Sequence, residues 1–278
     1  MTKFIITVLV EDRSDIPELC PEHGLSLLLE IKGEKWLFDA GQSSLVLENA
    51  RNLGINLSEI DGIILSHGHY DHTGGLKSVL GETGDIPVYA HPGIFRERFS
   101  LAKPGKIRPV GIPFQRHLLE ESGARFSLSA AGREIKPGIY LSGEIPRITS
   151  FERGDPFLAV REGDRYCPDP FVDDQFLTID CDDGVIMITG CCHAGLINSL
   201  MEVRELHPGK KIKAIVGGLH LHAAEQTMLA KVIEALEPFA PEEIIAGHCT
   251  GSAAESSLAN VFGSRFHKME TGSVFKIT

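Results

Sequence analysis

The stretch Ser66-His67-Gly68-His69-Tyr70-Asp71-His72 is the part of this chain that decides its fold. It follows a short apolar run, Gly62-Ile63-Ile64-Leu65, which is typical of a buried β-strand. Three imidazoles and one carboxylate therefore lie within six residues at the end of a strand. All four side chains suit a borderline divalent metal such as zinc. This density of potential ligands predicts a metal site rather than a polar surface loop.

The spacing of these side chains indicates two metal positions. His67 and His69 alternate along a chain that is still extended, so both point to the same side. Asp71 and His72 follow where the chain turns, and they can face a second point nearby. Two ligand pairs directed at neighbouring points predict a dinuclear site.

Two later segments repeat this arrangement. The β-branched run 185–189 leads into Gly190-Cys191-Cys192-His193-Ala194-Gly195, and the run 243–246 leads into Gly247-His248-Cys249-Thr250-Gly251. Each segment has a buried strand, a small residue and then a histidine as the strand ends, which is where layered α/β proteins build their sites. The repetition favours ligand roles for these histidines over purely structural ones.

These motifs resemble the metallo-β-lactamase fold superfamily, whose signature is H-x-H-x-D-H after a strand. More narrowly, the chain resembles the metal-dependent hydrolases related to 7,8-dihydropterin-6-methyl-4-(β-D-ribofuranosyl)aminobenzene 5′-phosphate synthase. Four segments carry the narrower similarity: 67–76, 190–195, 217–221 and 247–251. The resemblance implies an α/β fold, an αββα four-layer sandwich of two mixed β-sheets, with the metal site at one edge of the sheets.

The resemblance also implies six metal ligands in two groups: His67, His69 and His193 for one metal, and Asp71, His72 and His248 for the other. The superfamily usually has an aspartate that bridges both metals, on a strand end that reads Gly-Asp. The matching strand here reads Thr189-Gly190-Cys191, without an acid. Either Cys191 bridges the metals as a thiolate, or only a hydroxide bridges them.

Asp39 and His220 each have two possible roles. Asp39 ends the short strand 35–38 in an Asp-x-Gly turn, where it can bond its own downstream amides. Alternatively, it accepts a proton from a ligand histidine and fixes that histidine's tautomer, the role that the resemblance favours. By the same resemblance, His220 faces the site as a spare ligand or as a substrate or proton contact, with a structural role as the alternative.

The six cysteines are expected to be free, since disulfides are uncommon in cytoplasmic chains and no C-x-x-C pair is present. Cys191, Cys192 and Cys249 each lie within two residues of a proposed ligand histidine. They are either small buried side chains near strand ends or, for Cys191 above all, a thiolate at the metals.

Composition agrees with a compact enzyme. A chain of 278 residues with 42% hydrophobic content predicts one domain, 1–278, with one large core. A net charge of −11 argues against a nucleic-acid surface, which needs a basic excess, but permits a small anionic substrate. No segment approaches the ~20 apolar residues of a membrane span, and the run 4–10 is too short for a signal-peptide core. We therefore expect a cytoplasmic protein with no membrane partner; its oligomeric state stays open.

Periodicity and turn residues predict alternating strands and helices at both ends of the chain. The predicted strands are 3–10, 24–31, 35–38, 62–65, 87–90, 176–180, 184–189, 212–216, 243–246 and 272–277, and the predicted helices are 44–53, 73–80, 195–206, 223–236 and 252–259. Between about 92 and 175, repeated prolines predict an irregular insertion that sets specificity.

The insertion contains basic and aromatic residues with two possible roles. The basic residues form a solvated face, or one or two of them clamp a phosphate or carboxylate over the metals: Arg96, Arg98, Lys103, Lys106, Arg108 and Arg116. The aromatic residues pack in the core or stack on a substrate ring: Phe151, Phe157, Tyr166 and Phe171.

The favoured function is a metal-dependent hydrolase, in which two divalent ions, zinc or else manganese or iron, activate a hydroxide to attack a small anionic ester, phosphodiester or thioester. Asp71 would orient the nucleophile, and His220 would protonate the leaving group or hold a product oxygen. The alternatives are a synthase-like transferase of pterin biosynthesis, an iron-dependent redox enzyme and a non-catalytic metal-binding or partner-binding protein. The absence of a flavodoxin-like segment weakens the redox alternative.

Overall fold

Two seven-stranded β-sheets form the centre of the part of the chain that the computed structural model describes, residues 4–103 and 105–277. The strands of the first sheet are, in spatial order, β18 (Val274–Ile277), β1 (Phe4–Val10), β2 (Ser26–Ile31), β3 (Glu34–Phe38), β4 (Gly62–Ile64), β5 (Ile86–Ala90) and β8 (Ala124–Leu128). This sheet is antiparallel from β18 to β3 and parallel from β3 to β8. Lys3, the first residue of the predicted strand 3–10, lies outside the described residues.

The second sheet is mixed in the same way. Its strands are, in spatial order, β17 (Phe266–Lys268), β16 (Glu243–Gly247), β15 (Lys211–Gly218), β14 (Gly184–Thr189), β13 (Leu177–Asp180), β10 (Ile139–Gly143) and β9 (Ala131–Lys136). Strands β14 to β17 are parallel, and β9, β10, β13 and β14 are antiparallel neighbours. The predicted strands 176–180 and 184–189 correspond to β13 and β14, which pair antiparallel.

The two sheets pack face to face, and helices cover both outer faces. Apolar side chains of both sheets fill the space between them, among them Trp36 and Phe38 from the first sheet and Ile186 and Val216 from the second. The helices are α1 (Leu45–Asn52), α2 (Tyr70–Thr73), α3 (Leu76–Thr83), α4 (Arg116–Glu121), α5 (Leu196–Leu206), α6 (Gln226–Leu236) and α7 (Ser252–Phe262).

Two further apolar clusters join the helices to the sheets. One packs α1 and α3 on the first sheet, and the other packs α5, α6 and α7 on the second. All six residues of β14 are buried, as expected for a strand covered on both faces. The predicted αββα sandwich of two mixed sheets is therefore confirmed.

The predicted helix 73–80 is wrong in its bounds. The structure has two helices here, α2 and α3, separated by Gly74 and Gly75. A Cβ atom on Gly74 would lie 2.0 Å from the carbonyl oxygen of Gln42, and one on Gly75 would lie 2.1 Å from that of Ala40. The glycines allow the chain to cross the loop after β3 at close range, which places Asp71 and His72 on α2, beside that loop.

The prediction that residues 92–175 are irregular is also wrong. Besides β8, β9 and β10, this stretch supplies all four strands of a third sheet within the described residues, whose spatial order is β12 (Arg165–Pro168), β11 (Leu158–Glu162), β6 (Arg98–Lys103) and β7 (Lys106–Pro109). These strands are short and partly exposed on both faces, so they lack a clean apolar alternation. Pro109 and Pro168 end their strands, where a proline costs no ladder hydrogen bond. A specificity role for the stretch stays a prediction.

No helix among the described residues is long and apolar enough to cross a lipid bilayer.

Candidate metal centre

The strand ends that carry the predicted ligands meet at one edge of the two sheets. Because β14, β15 and β16 are parallel, the residues that follow them emerge together: His193, His220 and His248. Strand β4 of the facing sheet delivers the loop with His67 and His69 to the same place, as the distances between these side chains show. The structure thus brings together side chains as distant in sequence as residues 67 and 248.

The first predicted group of ligands converges through ring nitrogens. The Nε2 atom of His67 lies 3.1 Å from Nδ1 of His69, which lies 3.2 Å from Nε2 of His193. All three rings are buried, and burial lowers the pKa of each, to about 3 for His69. These imidazoles are therefore neutral and each offers a lone pair, as a metal ligand must.

The second predicted group converges beside the first. The Nε2 atoms of His72 and His248 lie 3.2 Å apart, and Oδ2 of Asp71 lies 3.6 Å from each of them. Burial disfavours a charged His72, but the carboxylates of Asp39 and Asp71 outweigh that effect and raise its pKa to about 9. The surroundings of this group therefore stabilise positive charge, which a proton or a metal cation can supply.

Cys191 lies between the two groups. Its Sγ atom is 3.1 Å from Nε2 of His72 and 3.4 Å from Nε2 of His248. The same thiol also forms a compact group with His67 and His193, in which the potential ligand atoms all lie within 4.8 Å of one another. Burial raises the pKa of the thiol, but a coordinating thiol loses its proton to the metal. Its position suits the bridging role left open by the missing aspartate, a role that stays a prediction.

Three side chains orient the ligand rings from behind. Oδ2 of Asp39 accepts a hydrogen bond from Nδ1 of His72 at 2.7 Å and another from the Ser66 hydroxyl at 2.6 Å. Because the Ser66 proton is engaged in this way, its oxygen accepts from Nδ1 of His67, at 2.8 Å. Asp12 accepts from Nδ1 of His248, also at 2.8 Å.

These hydrogen bonds test whether the site suits a metal. When these three rings are neutral, with the Nδ1 protons of His67, His72 and His248 committed to oxygen acceptors, all three Nε2 atoms carry lone pairs that point inward. Lone pairs only about 3 Å apart repel one another unless a cation lies among them. Imidazole, carboxylate and thiolate donors suit zinc and related ions, so the residues present fit two divalent metals.

Asp39 acts on side chains beyond its own turn. Its two carboxylate oxygens accept from the Ser66 amide, the Ser66 hydroxyl and His72. This contact supports the tautomer-fixing alternative, while its φ of 57° shows that it also occupies a turn conformation. The functional role itself stays a prediction.

Sequence analysis missed Asp12 and His23. Asp12 is the second residue after β1, so an acid near a strand end was the available signal. It links His248 to His23, whose Nδ1 lies 3.0 Å from Oδ2 of Asp12. Nε2 of His23 lies 3.3 Å from Oδ2 of Asp71. His23 is half-exposed and lies at the mouth of the site, where it joins two ligand-bearing segments through carboxylates.

Buried charges of the 92–175 stretch support the metal-binding loop. Oδ2 of Asp173 accepts a hydrogen bond from the amide of Gly68 at 2.8 Å, between His67 and His69. The Arg98 guanidinium neutralises this carboxylate and also donates to Asp169 at 2.8 Å. Arg98 is therefore a buried support of the loop and does not reach over the candidate ligands as a phosphate clamp.

The other basic residues of the insertion lie in different places. A cavity opens beside the candidate ligands; Asp71, His193 and His248 line it, and we call it the metal cavity. Arg108 also lines the metal cavity and lies over the ring of Tyr70, with 5.6 Å between its guanidinium carbon and the ring centroid. Arg96 and Arg116 line a separate groove, and Lys103 and Lys106 lie on the β6–β7 hairpin. Only Arg108 among them lines the metal cavity.

The aromatic residues also separate. Phe171 stacks on the ring of His193, with centroids 4.2 Å apart and an interplanar angle of 6°. Phe157 lines a neighbouring cavity, Phe151 packs against the core beside α5, and Tyr166 packs on Phe99. They therefore do not form one common stacking wall.

His220 lies beside the first group. Its ring centroid is 4.2 Å from that of His193, and its amide donates to Sγ of Cys249 at 3.3 Å. Nδ1 of His220 is buried and has no hydrogen-bond partner among the described residues. The predicted proximity to the site is therefore found, and a catalytic role stays a prediction.

The backbone is strained at four site residues. Asp39, Cys192, His220 and His248 have φ values of 57°, 65°, 49° and 51°, in the left-handed region that non-glycine residues seldom adopt. Such residues cost on the order of 1–3 kcal/mol each and persist where the surrounding structure holds them, often at functional sites. For His248, Oε1 of Glu11 holds the amide at 2.5 Å.

Comparisons with known proteins agree with this geometry. A family model for the metallo-beta-lactamase superfamily matches residues 21–248. The 7,8-dihydropterin-6-methyl-4-(beta-D-ribofuranosyl)-aminobenzene-5′-phosphate synthase of Methanocaldococcus jannaschii is 33% identical over 264 residues, which cover 92% of this chain and 90% of the synthase. The crystal structure of Tm1679, a metal-dependent hydrolase of the beta-lactamase superfamily, matches with a TM-score of 0.84 and 26% identity over 99% of both chains. Zn²⁺-bound PqqB from Methylobacterium extorquens shares the fold alone, with a TM-score of 0.59 and 13% identity over 98% of this chain and 99% of PqqB.

Proposed function

This chain belongs to the metallo-β-lactamase superfamily, and from that membership we propose that it is a dinuclear metal-dependent hydrolase of a small anionic ester or phosphodiester. The observation that carries the proposal is the convergence of two neighbouring ligand groups on one buried thiol, that of Cys191. A purely structural metal site needs one closed group of four ligands. Two adjacent groups beside an open cavity are typical of catalytic sites instead.

In this proposal each metal has its own ligands. The first metal would be held by His67, His69 and His193, and the second by Asp71, His72 and His248, with Cys191 available to both. Two bound divalent cations would lower the pKa of water toward neutrality and stabilise negative charge on a carbonyl or phosphoryl oxygen. Zinc fits the donor set best, and manganese and iron remain candidates.

The protein's own residues then position the reactants. Asp71 would orient the nucleophile, since its carboxylate lies at the metal cavity and its outer side contacts His23. The carboxylates of Asp12 and Asp39 keep His248 and His72 in the tautomer that binds metal. A cavity of about 300 Å³ limits the group at the metals to a small one, and Arg108 at its wall favours an anion.

A synthase-like transfer is the second candidate. The identity of 33% over 92% of the chain to a dihydropterin-linked synthase favours it. In that reaction the same ligand groups would assist departure of a phosphate leaving group, and an amine rather than water would be the acceptor. We place it second because the site is small and open to water.

Metal-dependent turnover tests the proposal. Purified protein loaded with zinc or manganese should hydrolyse chromogenic phosphodiesters or esters, and His67→Ala should lose both activity and part of the bound metal. His117→Ala is the matched control, because His117 is exposed on α4 and lies outside the site. Metal-loaded protein that turns over no ester but condenses an arylamine with a dihydropterin phosphate, releasing phosphate, or with a dihydropterin diphosphate, releasing pyrophosphate, would favour the synthase. Equal activity in His67→Ala would refute both candidates.

A further inference from the structure

A second cavity opens beside the metal cavity. It has a volume of about 320 Å³ and lies between the loop 152–157 and the start of α6. His193, His220 and Asp155 line both this cavity and the metal cavity, so the two spaces share a wall. Together they have the size of sites that enclose a small organic ligand, roughly 300–1,000 Å³.

The wall of this second cavity is mainly apolar. Its lining includes Leu219 and Leu221, which are buried, and Phe157, Ala224 and Met228. Phe157 is 54% exposed, so its ring has surface free to contact a ligand. Phenylalanine and methionine both make favourable contacts with an aromatic ring, the latter through its polarisable sulfur.

Charge distinguishes the two cavities. The charged side chains of the second cavity are Glu152, Asp155 and Glu225, and no lysine or arginine is found among its described lining residues. Glu152 is engaged by the first turn of α5, where its carboxylate accepts from the amides of Ile197 and Asn198. An anionic substituent would be repelled here. The metal cavity also has carboxylates, those of Asp12, Asp71 and the shared Asp155, but Arg108 and the candidate metal positions offset them there.

The shared wall carries an unpartnered polar atom. Nδ1 of His220 is buried and has no partner within the described residues, and its Nε2 lies 3.9 Å from Oδ2 of Asp155. A ligand that spans both cavities would pass this imidazole, which lines both of them. Its linking atom would bond Nε2, because Nδ1 is buried. The structure therefore provides a place for a two-part ligand: an anion at the metals, a polar link at His220 and an apolar group beyond it.

We propose that the second cavity, which we call the ring pocket, binds an uncharged aromatic ring of the substrate while the metal cavity binds its anionic group. This inference rests on the proposed function for the anionic end, and it assigns the ring pocket residues Phe157, Ala224 and Met228 as determinants of specificity. Substrates of this kind are aryl or arylmethyl esters and phosphates whose ring carries no negative charge.

Two anions that differ only in their organic group test the inference. Titration calorimetry on the zinc-loaded protein should show phenylphosphonate binding about tenfold to hundredfold more tightly than methylphosphonate, the range expected for burying a phenyl group. Ala224→Trp fills the ring pocket and should remove this preference while changing the Kd of methylphosphonate by less than about twofold. Ala230→Trp, on the exposed side of α6, is the matched control and should keep the preference.

Binding of benzyl alcohol to metal-free protein, followed by saturation-transfer NMR, separates the two proposals. Suppose that neither phosphonate binds, that benzyl alcohol binds, and that Ala224→Trp abolishes the benzyl alcohol signal. This result would support the ring pocket and refute the proposed function. If wild type binds both phosphonates equally, or if Ala224→Trp leaves the benzyl alcohol signal intact, the ring pocket is refuted. Met228→Trp fills the same space and replaces Ala224→Trp should that variant not fold.

Discussion

Removal of the Arg98 side chain should destabilise the protein more than any exposed arginine substitution. The guanidinium donates to Asp169 and Asp173, and the exposed fractions of these three side chains are 1%, 1% and 0%. Arg98→Met keeps the apolar stem but leaves two like-charged carboxylates buried without a cation. Breaking a buried pair in this way costs about 3–5 kcal/mol, which is a large part of the roughly 5–15 kcal/mol that stabilises a typical domain.

Urea unfolding of metal-free wild type and Arg98→Met measures this cost. Arg51→Met is the control, because the ion pair of Arg51 with Glu82 is exposed and should contribute about 1 kcal/mol or less. The difference in the free energy of unfolding between wild type and Arg98→Met should become smaller at acidic pH. Burial raises the pKa of Asp173, and the charge of Arg98 opposes this effect. Without Arg98 the folded-state pKa of Asp173 rises further, so the folded variant binds more protons and loses stability as pH rises.

The variant also tests the link between this ion pair and the metal site. Asp173 accepts a hydrogen bond from the amide of Gly68, which lies between His67 and His69. Removal of the Arg98 charge that balances Asp173 should therefore loosen this loop and weaken zinc binding. If Arg98→Met lowers the free energy of unfolding by less than about 1 kcal/mol, and equally at pH 5 and pH 8, the reasoning is refuted. Such a result would mean that the carboxylates of Asp169 and Asp173 are not deprived of solvation.

Three further predictions concern the site and its surroundings. Asp39→Asn should weaken zinc binding about tenfold to hundredfold, because His72 loses its charged acceptor; competition titration with a chelator measures this, and unchanged affinity would contradict it. Cys191→Ala should abolish the near-ultraviolet thiolate-to-cobalt charge-transfer absorption of the cobalt-loaded protein; absence of this absorption in wild type, or its persistence in the variant, would show that this thiol is not a ligand. Burial lowers the folded-state pKa of His91, so the metal-free protein should lose stability as pH falls below about 6.5. His91→Asn can still cap the amide of Gly93, and its free energy of unfolding should fall less than that of wild type between about pH 7.5 and pH 5. Urea unfolding at each pH measures this, and an equal fall in both proteins would exclude the contribution of His91.

The elements and the candidate ligands could largely be predicted because their signals are local in the chain. The cluster 66–72 contains four potential ligands within one short segment, and the runs before His193 and His248 have the composition of buried strands. Local spacing also suggested that His67 and His69 share one side, and their ring nitrogens are 3.1 Å apart. Their roles as metal ligands stay predictions until metal is measured.

Spacing along the chain failed where an interaction joins distant segments. The third sheet was missed because its strands are short and half-exposed, so neither apolar alternation nor turn residues mark them. Arg98 was grouped with surface cations, since nothing near it in sequence reveals that Asp169 and Asp173 meet it in the interior.

The sequence by itself therefore determined which chemical groups this protein brings to its site and on which strand ends they stand. Only the tertiary structure decided how those groups are paired. Asp12 and His248 are 236 residues apart, and Cys191 meets His72 across 119 residues. The physical reason is that residue type and local backbone preference are properties of short segments, whereas the packing of two sheets selects which distant side chains share one buried volume.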